Sequence, residues 1–284
     1  MTKRFLVIGG NSTIGRALTI QLSKSGIPYN STTRRWDNDT AVMFDLTESQ
    51  SLPTRFLSRD TVVVMCAGIT GVSACKADSE GTEKINVEAP LDVAKISARC
   101  GAEFILLSTS LVFNGETPYQ KNIDLKRPAS IYGHQKSRAE DRILRAVPTA
   151  RVLRLGKVVS GDNSLFQTWV FNLKRGREIY ASHQKKFAPI SSAKAAEAII
   201  RVGIEGKSGI FQLTASKDIS YFEAAIYIVD KLNLSRQLVK QQSIHDLQDE
   251  FIQKYACLNC DCIYQVGVTT SEPTEALDYF LDNF

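Results

Sequence analysis

Two residues of this chain have the types and spacing of a proton-transfer pair: Tyr132 and Lys136, four apart in Ile131-Tyr132-Gly133-His134-Gln135-Lys136. On one turn of a helix they share a face. A phenol titrates near ~10 in water, and a nearby ammonium draws that value toward working pH. Tyrosine then becomes a usable general acid. A hydroxyl cluster, Ser108-Thr109-Ser110, follows an apolar run and can orient a substrate oxygen, with Thr109 the natural donor. A Tyr-x-x-x-Lys pair is common by chance, so the elements that would position it carry the argument.

The N-terminal half alternates short β-branched runs with longer stretches of helical spacing, the rhythm of a parallel sheet wound on both faces. Short apolar or β-branched segments predict strands over 4–8, 29–33, 61–66, 103–108 and 150–155, because strands covered on both sides need no regular polar alternation. Helical spacing runs over 14–25, 86–100 and 137–146. The expected fold is therefore α/β: a doubly wound parallel Rossmann sheet with a smaller C-terminal α/β substrate-binding lobe. The dinucleotide-binding domain is placed at 1–156 and the substrate-binding lobe at 157–284, with parts of 188–215 packing back on the first domain. Right-handed crossovers bring every strand's C-terminal end to one edge, where ligands bind.

At the end of the first strand stands Gly9-Gly10-Asn11-Ser12-Thr13-Ile14-Gly15, followed by a helix. Gly9 permits the tight turn and Gly15 allows close helix packing, while the amides of Asn11 to Ile14 can hold a pyrophosphate. Ser12 occupies the middle position, where glycine is usual. After the second strand come Thr33-Arg34-Arg35, and two guanidinium groups there favour the extra phosphate of NADP(H) over NAD(H). Asp45 and Leu46 end the following strand and are candidates to contact adenine. Cys66-Ala67-Gly68 ends the next with side chains small enough for close cofactor approach. In this frame Tyr132 is the general acid to a carbonyl oxygen, its pKa lowered by Lys136 together with a positively charged nicotinamide, Lys136 is its electrostatic partner and a ribose ligand, and Thr109 is the orienting hydroxyl.

The chain resembles the dTDP-4-dehydrorhamnose reductase branch of the extended short-chain dehydrogenases over nearly its whole length. The resemblance is carried by Ile14-Gly15, Asn86-Val87-Glu88-Ala89-Pro90, residues 107–115, Ile131 to Lys136, residues 187–191 and residues 209–213. Membership implies reduction of a keto group, at C4, on a nucleotide-activated deoxysugar, with a nicotinamide dinucleotide as hydride donor. It also implies sugar contacts at Ser110 and Lys157. Two positions depart from the pattern: Lys157 stands where the family usually has tryptophan, and Ser110 where an acidic residue is common. Lys157 is compatible with a more polar or anionic substrate, and equally with a side chain turned to solvent.

Composition bounds the alternatives. The 284 residues, 43% of them hydrophobic, can bury a large core without disulfides or metals. A net charge of +5, with 35 basic residues spread along the chain, lacks the concentrated patch of a nucleic-acid binder. The apolar run after Met1 ends at Gly9, too soon for a signal peptide, and no stretch approaches bilayer length, so a cytoplasmic protein without membrane partners is expected. Its six cysteines then stay reduced. Cys257, Cys260 and Cys262 lie close in sequence, but no histidine adjoins them and no metal is expected; the segment resembles one near the sugar site of the reductases. The leading reading is an NADPH-dependent nucleotide-sugar reductase in deoxysugar biosynthesis. A nucleotide-sugar epimerase and a non-catalytic NADP-binding regulatory subunit, like the β-subunit of methionine adenosyltransferase, are the alternatives. A homodimer is compatible with either enzyme.

Overall fold

Alternation within the first strand sets the layers: Phe5 and Val7 enter one buried cluster, Leu6 and Ile8 the other, on opposite faces of one sheet. The computed structural model describes residues 3–34, 41–242 and 253–284. Arg35 lies outside those residues. The chain runs through β1 (Arg4–Ile8), α1 (Thr13–Lys24), β2 (Tyr29–Thr33), β3 (Ala41–Met43) and β4 (Thr61–Met65). Short helices α2 (Val72–Ala77) and α3 (Ser79–Glu83) lead through a π turn at Lys84–Glu88 into α4 (Ala89–Arg99). Then come β5 (Glu103–Thr109), α5 (Ile131–Ala146) and β6 (Arg151–Leu155).

The second half holds β7 (Lys157–Val159), α6 (Ser164–Leu173), β8 (Ile179–Ala181), β9 (Lys186–Phe187), β10 (Pro189–Ser191), α7 (Ser192–Glu205) and β11 (Gly209–Leu213). It ends with β12 (Ile219–Ser220), α8 (Tyr221–Lys231), β13 (Val239–Gln241), α9 (Asp261–Tyr264) and α10 (Pro273–Asp282). Among the described residues, seven strands form one parallel sheet in the order β11-β6-β5-β4-β1-β2-β3. The order reverses between β1 and β4, and the crevice at such a switch point is where α/β sheets bind ligands. The fold is the doubly wound α/β architecture expected.

One face is covered by α1 and α7, whose Leu18, Leu22, Ala195 and Ile199 pack on the sheet. The other is covered by α4 and α5, through Val93, Ala94, Ala139 and Ile143. A third cluster, built on Phe166, Trp169, Phe187, Ile228 and Phe280, is the separate core of the C-terminal lobe. That lobe is not continuous in sequence, because α7 and β11 return to the main sheet before α8 begins.

Two local readings change. Helical spacing predicts a start at residue 137, whereas α5 begins at Ile131. The Ser130 hydroxyl caps it by accepting from the Gly133 amide at 3.1 Å, and a good N-cap extends a helix beyond its apolar stripe. The helix expected from residue 86 is preceded by a helical run from Ser79, joined to α4 through the π turn.

Candidate active site

At the switch point, Gly9 has φ +85°, a left-handed conformation that glycine adopts without strain. A Cβ there would lie 2.7 Å from that of Ala67, so the turn after β1 and the end of β4 touch directly. This contact holds the glycine turn and the end of β4 together at the switch point. Gly15 serves the loop: a Cβ on it would sit 2.2 Å from the Gly9 carbonyl oxygen. The close packing is thus between helix start and glycine turn, where the sequence suggested helix against sheet.

Ser12 is the N-cap of α1, its hydroxyl oxygen accepting from the Gly15 amide at 3.1 Å. Its O–H remains available to an anion, as do the exposed amides at a helix N-terminus. Asn11 is fastened from behind, its carbonyl accepting from Arg16 at 2.6 Å, and Thr13 and Ile14 form the first turn of the helix. Small residues and a cleared backbone are what a pyrophosphate needs, so these residues fit a dinucleotide.

Thr33 is buried at the end of β2, its carbonyl accepting from the Phe44 amide at 2.9 Å. Arg34 follows it, exposed. Asp45 caps the next turn, accepting from the Thr47 amide at 2.9 Å. That bond, with the Arg34 charge adding, holds its carboxyl below the usual range. Leu46 is buried behind it. Burial pushes the Cys66 thiol up, so it stays neutral beside Ala67 and Gly68.

The acid-base pair stands on α5. Tyr132 and Lys136 are 9% and 7% exposed, close enough to the surface to reach a ligand and too buried to be free-swinging. Gly133 between them allows this: a Cβ there would meet the Leu111 carbonyl at 2.2 Å, so only glycine lets α5 press against the turn after β5. That turn begins at Thr109, whose hydroxyl oxygen accepts from the Leu111 amide at 3.2 Å and keeps its own proton to donate. Ser110 is buried one residue on.

The sequence reading expects Lys136 and a bound nicotinamide together to lower the tyrosine. In the protein, burial dominates and pushes the Tyr132 phenol above its ordinary value, with Cys75 adding to the effect. Desolvation likewise lowers Lys136, to about 8, against the opposing pull of Glu140.

Asn86, quoted in sequence only as part of a motif, proves to be a brace. Its side chain pairs with both backbone groups of Ile69 at 2.9 Å and donates to Gln135 at 2.8 Å. The loop after β4 is thereby tied to the helix that carries Tyr132 and Lys136. Gln135 lies between the pair in sequence and is fully buried, donating to Thr82 at 2.8 Å. Neither role shows in sequence, since both partners are remote.

Lys157 begins β7. Leu155 is the register partner of Thr109, so Lys157 lies two residues past the level of that hydroxyl, at the ligand edge. Its side chain is exposed, yet desolvation by the surrounding protein, with the Lys185 charge added, lowers its pKa. Cys257 donates to the Ala215 carbonyl at 3.3 Å and Cys260 to that of Leu258 at 3.4 Å. Among the described residues, no three histidine, cysteine or acidic side chains are grouped to hold a metal, and no helix is long and apolar enough to cross a membrane.

Fold and site together define an extended short-chain dehydrogenase/reductase. Within that class the chain belongs to the RmlD substrate binding domain family, whose profile matches residues 3–284. The dTDP-4-dehydrorhamnose reductase of Mycolicibacterium smegmatis is 30% identical over 180 residues, which is 62% of this chain and 52% of that protein. The spore coat polysaccharide biosynthesis protein SpsK of Bacillus subtilis is 25% identical over 290 residues, covering 99% of this chain and 97% of its own. Among solved structures, dTDP-4-dehydrorhamnose reductase from Bacillus anthracis, in complex with NADP, superposes with a TM-score of 0.87 at 20% identity, covering 100% of this chain and 99% of that one.

Proposed function

We propose that the protein is an NADPH-dependent reductase of the C4 keto group of a nucleotide-activated deoxysugar. Similarity to the dTDP-4-dehydrorhamnose reductases supports the reaction class. The observation that carries the reading is the packing of Tyr132 and Lys136 through Gly133 onto the turn that starts at Thr109. That packing lies along the sheet edge from a glycine turn fit for a dinucleotide.

The bound cofactor supplies the hydride. The residues of the chain do the rest. Thr109 donates to the carbonyl oxygen and orients it, and Tyr132 delivers the proton as negative charge develops there. The phenol is protonated at neutral pH, the form that a reduction requires. Lys136 binds the nicotinamide ribose and stabilises the phenolate left behind. The turn from Gly9 to Gly15 holds the pyrophosphate, while Arg34 and Arg35 take the 2′-phosphate and select NADP(H). Asp45, Leu46 and the Cys66-Ala67-Gly68 segment line the nucleoside end. Ser110, just after β5, and Lys157, at the start of β7, face the sugar.

The test is NADPH oxidation, followed by nicotinamide absorbance, against nucleotide-linked 4-keto-6-deoxysugars. Wild type should turn over and Tyr132→Phe should lose at least about 100-fold in kcat. Cofactor binding without turnover would refute the reductase and leave an epimerase or a regulatory subunit. The latter has a relative in methionine adenosyltransferase 2 subunit beta of Rattus norvegicus, 23% identical over 288 residues.

A further inference from the structure

One helical turn beyond Lys136 lies a buried carboxylate to which the reaction above gives no part. Glu140 is 0% exposed. Ser108, next to Thr109 on β5, donates its hydroxyl to Oε1 at 2.5 Å. Arg154 on β6 donates Nε to Oε1 at 3.0 Å and Nη2 to Oε2 at 2.7 Å. Lys126, from the segment leading into α5, reaches Oε2 at 3.2 Å. Arg154 is itself buried, held by Gln212 at 2.9 Å. A single carboxylate thus joins the helix of Tyr132 and Lys136 to the strand of Thr109 and to its neighbour.

We infer that Glu140 is a positioning residue, which pins α5 beside Thr109 and keeps the Lys136 ammonium charged. The inference rests on the reading of Lys136 as a cofactor ligand. Burying a charge is costly unless it is fully paired, and this one has both oxygens satisfied. Its balance of charge is telling. On α5 itself, Glu140 is the anion that pulls Lys136 back toward protonation against burial. The cations Arg154 from β6 and Lys126 from the preceding segment face Glu140, and Asp141 draws Lys126 toward the rim at 2.7 Å. Cys75 of α2 acts on Tyr132. With the Glu140 charge removed, Lys136 would meet burial and two uncompensated cations.

The experiment measures NADPH affinity against pH by nicotinamide fluorescence. Wild type should show a loss of affinity as pH rises through about 8. Glu140→Gln keeps the shape of the side chain and should move that step toward acid by about one unit. Glu140→Asp keeps the charge and should restore most of it. Lys126→Met, at the rim, should move the step the other way by a few tenths of a unit, and simple loosening of the fold would not produce opposite signs. A step lost in Lys136→Met yet unmoved in Glu140→Gln overturns the inference alone. A step that survives Lys136→Met removes the assignment of Lys136 and the inference with it. Should Glu140→Gln not fold, Lys126→Met decides: an alkaline shift supports the inference, and an unmoved step overturns it.

Discussion

Lys136→Met should make the protein more stable at neutral pH while abolishing its turnover. The side chain is 7% exposed, and burial lowers its ammonium from 10.5 to about 8. At ~1.4 kcal/mol per pH unit, holding the charge in the fold costs about 3 kcal/mol. Below about 8 both folded and unfolded chains carry the proton, and the whole cost is present. Between about 8 and 10.5 the unfolded chain keeps a proton that the folded one has released, so wild-type stability rises with pH. Above that window the cost is gone. Methionine keeps most of the buried stem and carries no charge, so its advantage is full at neutral pH and fades through the same window. Urea unfolding of both proteins at about pH 7 and about pH 10 measures it as a difference of differences. A variant less stable than wild type at neutral pH, or a gain that does not change with pH, would refute the reasoning. Such a gain is the expected mark of a residue kept for its chemistry at the expense of the fold.

Three further outcomes follow from the same geometry. Gly9→Ala combines left-handed strain with a 2.7 Å contact on Ala67, whereas Gly26→Ala, at φ +64° with nothing near its Cβ, carries strain alone. Strain costs about 1–2 kcal/mol and overpacking a further 1–3 kcal/mol, so Gly9→Ala should be the more destabilised and bind NADPH at least about tenfold more weakly, by urea unfolding and fluorescence titration. Arg34→Ala should weaken NADPH about tenfold with NADH unchanged, and equal loss for both would remove its role at the 2′-phosphate. Lys157→Trp should lower kcat/KM about tenfold on the native substrate, and full retention would turn that side chain to solvent.

Much of the frame was legible from residue order. Continuous apolar runs marked β1, β4 and β5 because strands covered on both faces exclude polar residues, and the glycine turn after β1 identified itself by its place between strand and helix. The start of α5 was legible only through the four-residue spacing of Tyr132 and Lys136, because apolar spacing begins at residue 137 and the Ser130 cap sets the boundary before it. For Tyr132, spacing reveals a neighbouring charge but not the depth of burial, which by itself pushes the phenol up.

The amino-acid sequence by itself determined the doubly wound sheet, the glycine turn between β1 and α1, and the spacing of Tyr132 and Lys136 on one helix. These depend on local periodicity and on spacings within one element. Tertiary structure alone decided that Gly133 brings α5 against the Thr109 turn, that Asn86 and Gln135 brace it, and that Glu140 joins it to β5 and β6. Those contacts span 14 to 49 residues, and the one at Gly133 closes within a gap too narrow for a methyl group. Such distances are set by how whole elements pack, which no pattern along a single chain records.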